Sequence, residues 1–298
     1  MKNELNFKTH NASLIGLYIL GNAIIFLPTK NADEYTFLAF LVVSTMALPF
    51  YMVISFLANK LFCKQDLNLP AKIIAIVVLI GVAVFALFCA ADTLKDFLKF
   101  ISLYVLVDTN PMFIVILFAV CVFVFLRVKH TDILKFSILA FLFSLAVTLF
   151  FFFATAHNYE LRNIFIFKLP SHAEFFKQAK PYLKEILFPL LLIPFLNLSL
   201  FGKLRTKTAL VGIFSGISAL GICVMGAVLL FGAELSGRLD FPFASAVSTV
   251  TMGRLFTRMD GLSYFVYFAT ALIKTVVCAN VVKFCLSKFN KITRRGDS

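Results

Sequence analysis

The feature that most constrains this chain is a series of apolar blocks of roughly 17–25 residues, separated by short charged stretches. A block of that length crosses a hydrocarbon core about 30 Å thick as a helix. With 61% hydrophobic and only 14% charged residues, and a mean hydropathy of +0.95, no water-soluble fold of 298 residues could hide so much apolar sequence. Soluble domains carry about 25% charged residues. The chain is therefore an all-α, polytopic membrane protein. Secreted disulfide scaffolds, nucleic-acid-binding domains and most soluble enzymes are excluded.

We place about eight transmembrane helices: Ala12–Pro28, Tyr35–Ala58, Ala71–Ala91 (extending toward Leu106), Met112–Leu126, Phe136–Ala156, Ile186–Phe201, Thr208–Phe231 and Leu262–Leu286. The net charge of +13 supports this division. The N-terminus, the second, fourth and sixth connections and the tail, counted with Lys72 and Lys283 at the block ends that face them, hold sixteen Lys and Arg against four Asp and Glu. The remaining connections hold eleven of each, and Lys274 lies inside the last block. The excess of Lys and Arg in short loops marks the cytoplasmic side, so both termini are expected there. Residues 1–298 read as a single membrane domain, and the stretch Ala173–Leu183 reads as a helix lying at the headgroup level.

Two blocks are irregular. The first runs Leu20-Gly21-Asn22-Ala23 and ends at Pro28, and the sixth runs from Phe188-Pro189 to Pro194-Phe195-Leu196-Asn197. Glycine weakens a helix and proline removes a backbone donor. Irregular backbone at membrane depth persists only where it is buried or lines a cavity. Transporters built from inverted repeats break the first helix of each repeat at the midplane to hold substrate and ion. Blocks one and six stand in that relation and would cross in opposite directions. The candidate ligand-binding residues are therefore Gly21, Asn22, Ala23, Pro194, Phe195 and Asn197, with a carboxylate on exposed backbone N–H groups.

Lys274 is the candidate ion-coupling residue, because a lysine at a helix centre costs roughly 2.5–3.5 kcal/mol on insertion scales and normally faces a cavity or a partner; the alternative is a structural ion pair. Asp92, Lys95, Asp96 and Lys99 share one helical face and read as a solvated or self-paired outer end of the helix or, alternatively, as a vestibule lining for a zwitterionic substrate. Gly212, Gly216 and Gly221 have the small-residue spacing of close helix packing. The six cysteines and four histidines have no metal-ligand spacing, and no P-loop, HExxH or GxSxG occurs. No cofactor, metal or catalytic activity is expected.

Three places resemble the spore germination permease family, the B-subunit of nutrient germinant receptors. Gly21 to Pro28 is similar to its glycine-rich G-x-x-x-x-x-L-P stretch, with Ala23 where a second glycine is usual. Leu103 to Pro111, ending Asp108-Thr109-Asn110-Pro111, is similar to its L-x-x-T-P turn. Phe241-Pro242 followed by Gly253–Asp260 is similar to its aromatic-Pro and G-x-x-x-E-R-x-[DE] approach to helix eight.

The resemblance implies the ten-helix inverted-repeat fold of the amino acid–polyamine–organocation transporter superfamily. The first repeat would span about residues 12–156 and a partial second about 186–286, with no counterpart of helices nine and ten. It implies an amino-acid-permease-like subunit that binds a small nutrient, an amino acid, beside A- and C-type subunits. The spore inner membrane or the cell membrane would hold it. The alternatives are a proton-coupled amino acid transporter and a non-transporting scaffold subunit.

Overall fold

The computed structural model describes residues 2–21, 23–27, 35–62, 69–106, 109–164, 171–249 and 260–294. Among these the chain is helical throughout, with no strand. The first block is α1 (Lys2–Leu20) and the four-residue α2 (Ala23–Phe26); α3 (Thr36–Phe62), α4 (Leu69–Phe100), α5 (Pro111–Arg127) and α6 (His130–Ala154) follow. The sixth block is composite: α7 (His172–Tyr182), a π-turn at Leu183–Leu187, α8 (Phe188–Leu190) and α9 (Ile193–Phe201). Then come α10 (Thr206–Arg238), the short α11 (Pro242–Ser248) and α12 (Asp260–Arg294). Six of these segments are long and apolar enough to cross a membrane, and α5 is a shorter apolar helix.

Local chemistry explains the boundaries. Asn110 caps α5 by accepting the Met112 N–H at 2.9 Å, and Pro111 takes the first helical position, where its missing donor costs nothing. Ser171 and Glu174 form a reciprocal capping box at the start of α7. Gly202, at φ 66°, ends α9 in the left-handed conformation that glycine adopts freely.

The stretch expected as a headgroup-level helix is continuous through the π-turn with the sixth block, and one 30-residue segment spans His172–Phe201. It also docks on α3. The Thr36 hydroxyl donates to Gln178 at 3.0 Å, and the rings of Phe40 and Tyr182 meet edge to face at 5.6 Å. With Gln178, Ala179 and Tyr182 buried, its inner face is occupied by protein.

The core forms around α1, whose residues Leu14 to Leu20 are nearly all fully buried among α6, α10 and α12. Helices embedded in lipid gain little from hiding apolar side chains from one another, so close backbone approach carries the packing. The glycines of α10 serve that purpose as expected. A Cβ at Gly216 would lie 2.9 Å from the Gly16 carbonyl of α1, and one at Gly212 would strike the Ala12 carbonyl. Elsewhere α4 lies along α12 and α3 along α10.

Candidate functional site

The first block breaks at Gly21. Its φ of 31° closes the last turn of α1, with the Gly21 N–H still bonded to the Leu17 carbonyl at 2.9 Å. The Gly21 carbonyl no longer points into a helix; it accepts the Thr270 hydroxyl of α12 at 3.0 Å. One turn along α12, the stem of Lys274 lies over Gly21 so closely that any Cβ there would collide with its Cδ. Glycine is needed at this position for both its dihedral and its bareness. Ala23, fully buried, restarts the chain as α2. Asn22, Pro28, Asp108 and the motif Gly253–Met259 lie outside the described residues.

The sixth block is interrupted earlier than expected. Pro194, Phe195 and Asn197 belong to regular helix α9; the irregular stretch is Leu183–Leu192. The reason is that proline removes an N–H whose acceptor would be four residues upstream. Pro194 perturbs the backbone at Leu190 and Pro189 perturbs it at Glu185, so the prolines begin new helical turns and the break falls before them. The π-turn and the turn at Leu191–Leu192 absorb the mismatch, the Phe188 N–H reaching back to the Leu183 carbonyl.

Two hydrogen bonds align the blocks. The Tyr18 hydroxyl donates to the Pro189 carbonyl at 3.1 Å, and the Asn11 amide donates to the side-chain oxygen of Asn197 at 3.1 Å. The two blocks therefore run antiparallel. The Gly21 break faces the region of the π-turn, while Asn197 lies further along against Asn11. Of the residues singled out in sequence, Gly21 and Lys274 come together, and Ala23 begins α2 two residues further on. Asn197 instead meets an early turn of α1 through Asn11, and Phe195 packs edge to face on Phe62 of α3 at 5.5 Å.

The side chain opposite the first break is Glu185. Lys274 and Glu185 form a buried ion pair at 3.5 Å, their side chains 5% and 10% exposed. Glu185 also faces Lys184 at 3.6 Å, and Lys184 reaches Asp92 of α4 at 2.7 Å. Charge thus alternates Lys274, Glu185, Lys184, Asp92 from the core outward. The two contacts of Glu185 are longer than the about 2.7–2.9 Å of a tight charge-assisted hydrogen bond. That carboxylate is neutralised without being locked.

This ladder lines one side of a cleft of about 870 Å³ between α4 and the α7–α8 segment, reaching inward to Lys274. Phe85, Phe88, Phe188 and Pro189 form much of its wall, with Lys95 and Lys180 at its mouth. Sequence reasoning missed Glu185, Lys184 and Tyr18. The available signal was the position of Glu185, an acid directly before an apolar block and four residues ahead of Pro189.

The charged face of α4 also differs from expectation. Asp92 pairs with Lys184, and Lys99 pairs with Asp240 at 2.8 Å, so these bonds join neighbouring segments. Pairs within a helix are worth only about 0.2–0.5 kcal/mol, too little to compete with a well-placed partner elsewhere. Among the described residues, no group of three or more His, Cys, Asp or Glu could hold a metal ion.

Compared with known protein families, residues 8–295 match one described as a spore germination protein. A search of curated proteins finds no match.

Proposed function

The chain belongs to the spore germination permease family, and from that membership we propose that it is the permease-like membrane subunit of a nutrient germinant receptor, binding an amino acid at the inner end of the cleft. The family is transporter-like and not an enzyme family, and the segments long and apolar enough to cross a membrane make the protein a multi-pass membrane protein. The observation that carries the nutrient reading is the loosely made Lys274–Glu185 pair beside the bared backbone of Gly21.

A buried ion pair is stable only while each charge keeps a partner. A zwitterion satisfies that condition by insertion. Its carboxylate takes the Lys274 ammonium while its ammonium takes the Glu185 carboxylate, so one long contact is exchanged for two and no net charge is buried. Main-chain groups at Gly21 and Ala23 supply further contacts, and Asn22 belongs to the same proposal. The pairing of block one with six, of α3 with α10 and of α4 with α12 is what an inverted repeat predicts, and it supports the transporter-like reading. Asn197 and Phe195 then hold the far half of block six against α1 and α3, and they, like Pro194, do not touch the ligand directly.

In the ten-helix fold that the resemblance implies, helix eight contributes to a cation site beside helix one, so the ammonium of Lys274 would take that cation's place and make binding independent of sodium. A- and C-type receptor subunits are the proposed partners, in the spore inner membrane. The test is calorimetric titration of the purified chain with neutral amino acids in sodium-free and sodium-containing buffer. Binding of at least one, abolished in Lys274→Met and in Glu185→Gln, is the expected result. If no amino acid binds, the reading falls and a scaffold subunit takes its place.

A further inference from the structure

The nutrient site uses only the inner end of the cleft. A cleft of about 300–1,000 Å³ buries a drug-sized ligand, so about 870 Å³ leaves most of the space unaccounted for. The remainder has a distinct chemistry. Its wall is aromatic and aliphatic, from Phe85, Phe88, Leu183 and Phe188. Phe88 is 71% exposed and Phe188 48% exposed, which in a membrane-spanning region means rings facing hydrocarbon.

Its mouth is basic. Asp92 is paired with Lys184, and Glu185 with Lys184 and Lys274, so the acids of the lining are neutralised from within. Lys95 and Lys180, both exposed, have no ion-pair partner among the described residues. Depth matters as well. The apolar run of α4 ends at Ala91 and charge begins at Asp92, so Lys95 stands where hydrocarbon gives way to headgroups. The nearest part of α7 brings Lys180 to the same mouth.

We propose that the cleft is a binding site for an anionic phospholipid, with its phosphate between Lys95 and Lys180 and an acyl chain along Phe85, Phe88 and Phe188. Basic pockets between membrane helices select anionic headgroups by charge, while the chain contacts follow from burial of apolar surface. The bilayer itself supplies this ligand at high local concentration. The site is separate from the nutrient contacts at Lys274 and Glu185, and it predicts that lipid charge tunes the chain without touching them.

The experiment uses the purified full chain in phosphatidylcholine nanodiscs, with phosphatidylglycerol titrated in. Thermal unfolding and lipid retention in native mass spectrometry are the two readouts. Phosphatidylglycerol is expected to raise the melting temperature by several degrees and to be retained. The Lys95→Gln/Lys180→Gln variant should lose at least tenfold in lipid affinity, Lys95→Arg/Lys180→Arg should keep it, and Lys129→Gln at the other end should leave it unchanged. Equal stabilisation of the Gln/Gln variant would overturn the proposal, reducing the effect to bulk surface charge. So would octanoate binding as tightly as the phospholipid with the same lysine dependence, because the site would then take a free amphipathic anion. Amino acid binding measured in phosphatidylcholine alone reads the nutrient proposal separately.

Discussion

At Gly21 three demands meet at one residue: a positive φ, a carbonyl turned toward Thr270 and no side chain beneath the stem of Lys274. Alanine in a left-handed conformation costs roughly 1–2 kcal/mol, and its methyl would also displace Lys274. Gly21→Ala should therefore lower the unfolding free energy by at least that amount and weaken amino acid binding together with it. Denaturant unfolding in detergent and a binding titration read the two effects. A variant that is as stable as the parent and binds normally would show that neither the dihedral nor the lysine contact matters. The adjacent ion pair makes a sharper prediction. Removing one partner of a buried pair costs about 3–5 kcal/mol, because the other charge is left behind. Lys274→Met should lie near the lower end, since Lys184 still neighbours Glu185. Lys274→Met/Glu185→Gln should recover most of the stability while remaining unable to bind an amino acid. A double-mutant cycle with no coupling energy would refute the pair.

At the scale of the helices, what was legible in the sequence and what was not divides along physical lines. Block lengths, the break at Gly21, the cap at Asn110–Pro111 and the glycine stripe of α10 depend on local geometry and packing, and a single stretch of sequence carries them. The second break was displaced because a proline acts on the carbonyl four residues upstream, so Pro194 announces a disturbance at Leu190 rather than at itself. Glu185 and Tyr18 were invisible for another reason. Their importance comes from a partner more than eighty residues away, Lys274 in one case and Pro189 in the other. Pairing within α4 was overestimated for the same reason. The α1–α10 contact provides a check on the packing half of this argument. Gly216 approaches the Gly16 carbonyl too closely for any Cβ. Gly216→Ala should cost about 1–3 kcal/mol through overpacking, whereas Gly81→Ala, where nothing lies within 4 Å, should be neutral or slightly stabilising. Thermal unfolding of the two variants side by side decides between a helix interface and mere glycine tolerance.

For the molecule as a whole, function depends on which end of the bundle faces outward. The cleft, Lys95, Lys180 and the Lys99–Asp240 bridge all belong to the end where Ser171 and Asp240 lie. The short connection at Lys203–Arg205 lies at the opposite end. A nutrient arriving from outside can reach Lys274 directly only if the first of these ends is external. The charge distribution argues for that arrangement, since Lys and Arg concentrate at the end with Lys203 and are balanced by acids at the other. The cavity condition follows from the proposed function, whereas the charge count stands apart from it. The proposed orientation, with both termini inside, satisfies both conditions. In intact cells, a cysteine introduced at Ser171 should react with a membrane-impermeant maleimide above the background of the native cysteines. One at Lys203 should react only after permeabilisation. The reverse pattern would point the cleft at the cytoplasm, and the chain would then sense or release a solute from within, which is incompatible with a receptor for external nutrients.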